Sequence, residues 1–555
     1  MFKKFLALAL AAVMALSVSG ALASSAPDWA EFDALVAEIK STTDFVNREA
    51  LMHKAEDILM GTGALAPIYY YNDVFMMKPD VKGVYYNNFG TKFFDKATKE
   101  GSDTLKLQLA SEPDKLDPAL NSSVDGAILA AASFGGLYTY DENGALVPNY
   151  ATGFEMSEDG LTYTFTMREG LKWSNGDPLT AKDFEYSWKR AVAAETAADY
   201  SYMYDSIKGY PEALDVAASE DGKTFTVNLK APVAYFLDLA AFPTFFAVHQ
   251  ATVEGAEGFK DAAGAVVNPG AWALEAGFVS SGAFTLAEWK HNESMVYVKN
   301  PNYWNAENVK LERLELMLSA DEVAIFAAYQ SGDLDFIEQV PVDQVKSLIG
   351  TPEFYIVGQL GTYFAIFNVK SKLFDGMTVE QAAAFRKAIA VLIDRQYIVD
   401  TVAQTGQQPA NSFIPAGMLD GHGGVFKTDD ADFTYPVETG YYSLTPSVEA
   451  AAALLKEAGF EVGDDNMLKT PINMTYIFNT SAAHAAIAEL IQQDLAQVGI
   501  NVELKTLEWN VFLNERKEGN FDFARHGWIA DFNDPVNMLE MWTTDSGNND
   551  AQFGR

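Results

Sequence analysis

The chain has 555 residues, is 49% hydrophobic and 21% charged, carries a formal charge of −37 and contains no cysteine. Its length allows several domain-sized lobes, and its negative field excludes the counterion exchange on which nucleic-acid binding depends. Without a thiol there is no disulfide, no thiolate catalysis, no cysteine metal site and no acylated-cysteine lipoprotein anchor.

In chain order, residues 1–24 read as a secretory signal. Lys3 and Lys4 precede an apolar run over 5–18, and Ala21, Leu22 and Ala23 offer a cleavage site, so 1–23 are predicted to be removed from an exported protein. That run is short for a membrane span, and no other segment is long and apolar enough to make one. Residues 97–103 (ATKEGSD) are the one linker-like stretch. Residues 103–110 (DTLKLQLA) and 161–167 (LTYTFTM) alternate apolar and polar, which predicts half-buried strands. Asn175 and Gly176 turn a hairpin, and Thr180 opens a helix. Thr445 and Pro446 start a helix that Gly459 ends. Residues 472–478 then predict a strand, 482–498 a helix with Ile487, Leu490, Ile491 and Leu495 on one face, and 500–506 another strand. That β-α-β unit points to α/β lobes with ligand sites at strand ends. The polar run 546–552 reads as a surface loop.

The most informative stretch is 521–535, FDFARHGWIADFNDP. It sets Arg525, with Arg516 just upstream, and Asp531 around the bulky Trp528, and Gly527 permits close backbone approach. Buried charges need partners, whereas Phe521, Phe523 and Trp528 want burial, so the run suits a cleft that grips a zwitterion. Arginine would take a carboxylate and aspartate an ammonium. The competing structural roles are a helix N-cap for Asp531, with Asp534 before Pro535 the better cap, and ordinary ion pairs for the arginines. Signals of an enzyme or a metal centre are not found. The six histidines make no HExxH pair, and there is no GxSxG elbow, P-loop or dinucleotide fingerprint, so no cofactor is expected.

Residues 151–190 (ATGFEMSEDGLTYTFTMREGLKWSNGDPLTAKDFEYSWKR), 281–305 (SGAFTLAEWKHNESMVYVKNPNYWN) and 521–535 together resemble the oligopeptide-binding proteins of ABC importers. These form the peptide-binding branch of extracellular solute-binding protein family 5. The resemblance implies a three-lobed, hinged, periplasmic-binding-protein-like fold of type II. Lobe I would be 72–135 with 249–360, lobe II 136–248, and lobe III 361–555 with 25–71. It also implies a monomeric, non-enzymatic binding protein, periplasmic or extracellular, that hands short peptides to permease subunits. A sugar oligomer, a nickel chelate or a signalling peptide is the alternative cargo, and a secreted hydrolase the alternative class.

By the same resemblance, Asp531 takes the peptide's α-ammonium, while Arg525, Arg516 and His484 meet its carboxylate at different peptide lengths. Tyr200 lines the cleft and Trp528 a side-chain pocket. Gly527 and Ile529 offer backbone to the ligand, with Ser122 and Val124 opposite. Ala403 stands where the family has a lysine for the shortest peptides. Residues 26–94 resemble what the family carries at its C-terminus, so the chain reads as circularly permuted, an order tolerated when old ends lie close together.

Overall fold

Two long strands organise the molecule, a computed structural model that describes residues 25–109 and 111–555. The expected leader, 1–23, lies outside the described residues. Helix α1 (Ala30–Ser41) buries Phe32, Leu35, Val36 and Ile39, a single stripe at helical spacing. Asp44 caps α2 (Phe45–Gly61) by accepting from the Asn47 N–H. The chain then enters β1 (Leu65–Met77), which pairs antiparallel with β11 (Phe354–Phe367) from Leu65↔Ile366 to Met76↔Phe354, with register shifts at Pro67/Tyr69 and Tyr70/Asn72.

Around this ribbon a ten-stranded sheet forms in two halves. One half is β7 (Phe284–Lys290), β8 (Ser294–Lys299), β9 (Arg313–Met317), β2 (Thr104–Gln108) and β10 (Phe336–Ile337), joined to β1 only at Met76 and Met77. The other half is β14 (Phe523–Ile529), β12 (Ile472–Asn479) and β13 (Ile500–Leu507), joined to β11 over 361–367. The halves therefore attach at opposite ends of the ribbon. Among the described strands of this sheet, β1 and β11 alone span the interval near Tyr71 to Val74.

A second sheet is built from β5 (Val216–Ala218), β6 (Thr224–Asn228), β4 (Thr162–Met167) and β3 (Ala151–Met156). Beside it lies α4 (Ala181–Val192), opened by a capping box between Thr180 and Asp183. Helix α3 (Val124–Ser133) is capped by Ser123, and α5 (Glu322–Ser331) is capped by Asp321 and closed by Gly332 at φ 87°. Strands β12 and β13 pair in parallel across α8 (Ala482–Ala496), the β-α-β unit expected. Helix α7 (Val448–Glu457) starts from Ser447 rather than Thr445, because the Ser447 hydroxyl accepts from the Ala450 N–H.

Two expectations are corrected. Residues 97–103 are not a linker: Thr98 and Lys99 pair with Lys82 and Val81, Gly101 turns the chain at φ 76°, and Lys99 holds Asp335. The run 546–552 is not a surface loop, since Ser546, Asn549 and Ala551 are fully buried. Its polar groups are spent internally: the Asn549 amide donates to the Thr543 and Phe553 carbonyls, and Asn548 donates to the Tyr202 hydroxyl. Helix α1 covers this segment, with Trp29 stacked on Phe553 at 3.9 Å and its indole N–H donating to the Trp542 carbonyl.

Candidate functional site

A cavity of about 510 Å³ opens where β1 and β11 bridge the two halves of the sheet, within the usual range of ligand sites. Each of the nine residues expected at a site lines it. Strand β14 sets one wall. Its burial alternates along the strand, which puts Arg525, Gly527 and Ile529 on the more open face. One edge of β14 is taken by β11, whereas β12 reaches only Phe523 and Ala524 on the other. The second edge is therefore free of strand pairing from Arg525 onward. Gly527 is required there, because a Cβ would sit 2.0 Å from the Tyr71 hydroxyl.

Asp531 follows the strand and does not cap a helix. Its Oδ1 accepts from the Tyr200 hydroxyl at 3.2 Å, and its Oδ2 from the Asn537 amide at 3.0 Å. Burial pushes this carboxyl up to about 7, resisted by the Asn537 hydrogen bond, reinforced by nearby Glu540 and resisted again by Tyr200. Asp534 is not the N-cap of the short helix Val536–Glu540 either, since Pro535 holds that position with no side-chain cap; the Asp534 carboxylate accepts from the Val536 N–H while Arg48 grips it from two nitrogens.

Arg525 is the complementary charge. Among the described residues no carboxylate lies within ion-pair distance of it, and its Nε has no hydrogen-bond partner. One guanidinium nitrogen donates to the Tyr71 hydroxyl at 3.2 Å, and the group stands over the Tyr363 ring. Burial opposes its charge, but Tyr71, Tyr363 and Tyr69 outweigh that and hold it protonated. An acid and a cation without ionic partners among the described residues thus share one cavity, with an edge of β14 between them that no strand covers, although the Gly527 N–H donates to His526 Nδ1 and the Arg525 carbonyl accepts from Arg516. Leaving either unpaired is costly.

The remaining expected residues divide. Arg516 is already committed: its Nε lies 3.0 Å from Asp550, which His526 also contacts at 3.1 Å, so it is not a free cation. His484, in the first turn of α8, is no surface histidine. Its Nδ1 lies 3.1 Å from the Tyr363 hydroxyl, and burial together with Arg525 drives its pKa far down, so it is neutral. Val124 begins helix α3 rather than continuing an extended edge, because Ser123 caps there. Trp528 is mostly buried, its indole donating to Asn537, and it presents only part of its ring beside Tyr200. Ala403 is not among the lining residues.

Sequence reasoning missed the polar bridges in and around the cavity. Lys517, at the end of α9 (Trp509–Lys517), makes a close ion pair with Asp199 and donates to the Ser122 hydroxyl at 2.8 Å. At the α8 N-terminus, Glu322 of α5 accepts from the Ser481 hydroxyl and the Ala482 N–H. Lys92 bridges Asp73 and Glu338 at the far end, each at 2.7 Å. The basic last turn of α9 was the one visible signal; the partners of Lys517 lie 318 and 395 positions away.

Residues 145–550 match the model of the bacterial extracellular solute-binding proteins, family 5 (middle region). The chain belongs to this family. It is 33% identical to the oligopeptide-binding protein OppA of Bacillus subtilis, over 82% of this chain and 80% of that protein. It is 32% identical to the periplasmic oligopeptide-binding protein OppA of Salmonella typhimurium, over 81% and 79%. Among solved structures, Haemophilus influenzae OppA in complex with RPPGFSPFR superposes at a TM-score of 0.70 with 29% identity, covering 82% of this chain and 85% of that one. The Escherichia coli murein tripeptide binding protein MppA gives 0.68 with 28% identity, over 81% and 84%. The mixed α/β architecture with its large bridged sheet is the type II binding-protein fold of these family 5 members. No helix among the described residues is long and apolar enough to cross a membrane.

Proposed function

We propose that this protein captures short peptides in the bridged cavity and delivers them to the membrane subunits of an ABC importer. The observation that carries the reading is the pair of uncompensated charges: Asp531 for the peptide ammonium and Arg525 for its carboxylate. The unpaired edge at Gly527 and Ile529 would add the peptide as a strand, giving affinity through main-chain groups that every peptide has. Lobe I (72–135, 249–360) and lobe III (361–555, 25–71) would close on the ligand by hinging at β1 and β11, with lobe II at 136–248 riding on lobe I. Closure is then a population shift driven by a ligand that touches both sides. Lys517 with Asp199 would latch the closed state.

On this reading the protein is an exported monomer without catalytic activity, and its segment order is circularly permuted. One observation supports the permutation: Trp29, at the start of α1, stacks on Phe553 of the C-terminal segment. Isothermal titration with tri- to pentapeptides tests the function. Binding that is lost on N-acetylation and on C-amidation supports it, and equal binding of the blocked peptides contradicts it.

A further inference from the structure

Away from the cavity, helix α2 meets the glycine-rich loop that follows Met418. Glu49 and His53 stand one turn apart on the same face of α2. His53 is 1% exposed and lies between two phenyl rings, Phe426 at 4.0 Å and Phe433 at 3.8 Å, both nearly parallel to it. Neither ring nitrogen has a hydrogen-bond partner. Its Nε2 faces Asp430 Oδ2 at 3.4 Å, without hydrogen-bond geometry. Glu49 is 4% exposed, and its Oε1 is likewise unpartnered. One ligand atom each from Glu49, His53 and Asp430 lies within 4.8 Å of the others.

A buried imidazole and a buried carboxylate oxygen with nothing to bond are costly unless something sits between them. The neighbours hold the arrangement in place. His422 Nε2 lies 2.9 Å from Glu49 Oε2, so that Oε1 is the oxygen left without a partner. Asp420 Oδ1 gathers the N–H groups of His422, Gly423 and Gly424 and so fixes the loop that carries His422. A Cβ at Gly424 would meet Asp420 Oδ2 at 2.4 Å, so a larger residue there would have to displace that carboxylate. Among the described residues, no lysine or arginine pairs with Glu49, Asp420 or Asp430; histidines are their only ionic partners. The cluster is three carboxylates short of cations.

We propose that Glu49, His53 and Asp430 bind one divalent transition-metal ion of the zinc type, clipping α2 to the loop over 418–435. Zinc bonds of about 2.0–2.1 Å to nitrogen and oxygen set neighbouring tetrahedral ligands about 3.4 Å apart, which matches the His53–Asp430 separation. An imidazole among the ligands favours zinc or its neighbours over magnesium or calcium. Water completes the coordination on the side of Asp430, the most exposed of the three. His422 orients Glu49 through its hydrogen bond and does not itself need to ligate. None of these residues lines the cavity, so the site stands or falls separately from peptide capture.

The test uses the untagged mature protein, stripped with EDTA and titrated with zinc chloride, with metal content measured after gel filtration. Wild type is expected to retain one zinc per chain and to melt at a higher temperature with zinc than with EDTA. His53→Gln and Asp430→Asn are expected to drop to background. His422→Gln is expected to weaken binding about 10–100-fold, as loss of a ligand-orienting partner does, and His291→Gln to leave it unchanged. Retention of zinc by H53Q and D430N at the wild-type level, or failure of wild type to hold an equimolar ion, overturns the proposal. If the variants do not fold, cobalt substitution of wild type decides: visible bands of a tetrahedral nitrogen–oxygen site support it, and their absence refutes it.

Discussion

If Asp531 takes the peptide ammonium as proposed, peptide affinity depends on pH in a direction that can be worked out beforehand. Its carboxyl is held at about 7 in the free protein by burial, yet an ammonium in contact with it requires the ionised form. Binding must therefore release a proton whenever the pH lies below that value. At pH 5 about 1% of the free protein is ionised at this position, so affinity falls about 50-fold from pH 7, or about 2.3 kcal/mol at 1.36 kcal/mol per unit. Terminal ammonium groups stay charged over this range, so the slope belongs to the protein. Glu338 also lies near 7 in the same cavity, but it is paired with Lys92. Titration calorimetry at pH 5, 6 and 7, in buffers of different ionisation enthalpy, reads both the affinity and the proton released. Asp531→Asn should bind weakly and with a flat pH profile. A flat profile for wild type, or the full slope surviving in D531N, would refute the assignment of Asp531 as the ammonium partner.

Three further outcomes follow from the same geometry. Arg525→Met should cost peptides with a free C-terminus about 2–5 kcal/mol, the range for truncating one member of a buried charge pair. It should leave C-amidated peptides untouched, and a uniform loss across both in calorimetry would count against the role. Gly527→Ala should destabilise the protein by about 1–3 kcal/mol through overpacking against the Tyr71 hydroxyl, 2.0 Å from the new Cβ. Adding Tyr71→Phe should restore part of the melting temperature, and no restoration would mean that the strain lies elsewhere. Lys517→Met should remove the contact with Asp199 and Ser122 and raise the peptide dissociation rate about 5-fold, worth about 1 kcal/mol for a partly exposed pair, in stopped-flow release. An unchanged rate would show that this pair does not latch closure.

The parts of the fold that were legible are those whose physics is local. The alternation in 161–167 and the Thr180 cap yield β4 and α4 with small boundary shifts, and the apolar stripe of 482–498 yields α8 within its β-α-β unit. The stretch at Arg525, Gly527 and Asp531 was readable because charge beside aromatic bulk has few places to go. What stayed hidden depends on partners far away in sequence. Asp550 looks like one acid in a polar tail until Arg516 and His526 close on it, which is why 546–552 was read as surface and is buried. For Arg516 it is the ordinary ion pair, the competing role, that the structure records, and its partner Asp550 could not be named from the sequence for the same reason. Lys517 and Asp199 are 318 positions apart, and no periodicity links them. The orphaned atoms of Glu49 and His53 are equally invisible in one dimension, because a missing partner shows only once the neighbours are in place.

Native mass spectrometry of the mature protein, purified without refolding and compared before and after denaturing extraction, tests peptide capture most directly. The expected result is a set of co-purified species with peptide masses, released on denaturation and absent from Asp531→Ala. A bare protein mass, with no thermal shift on adding mixed tri- to pentapeptides, would contradict it.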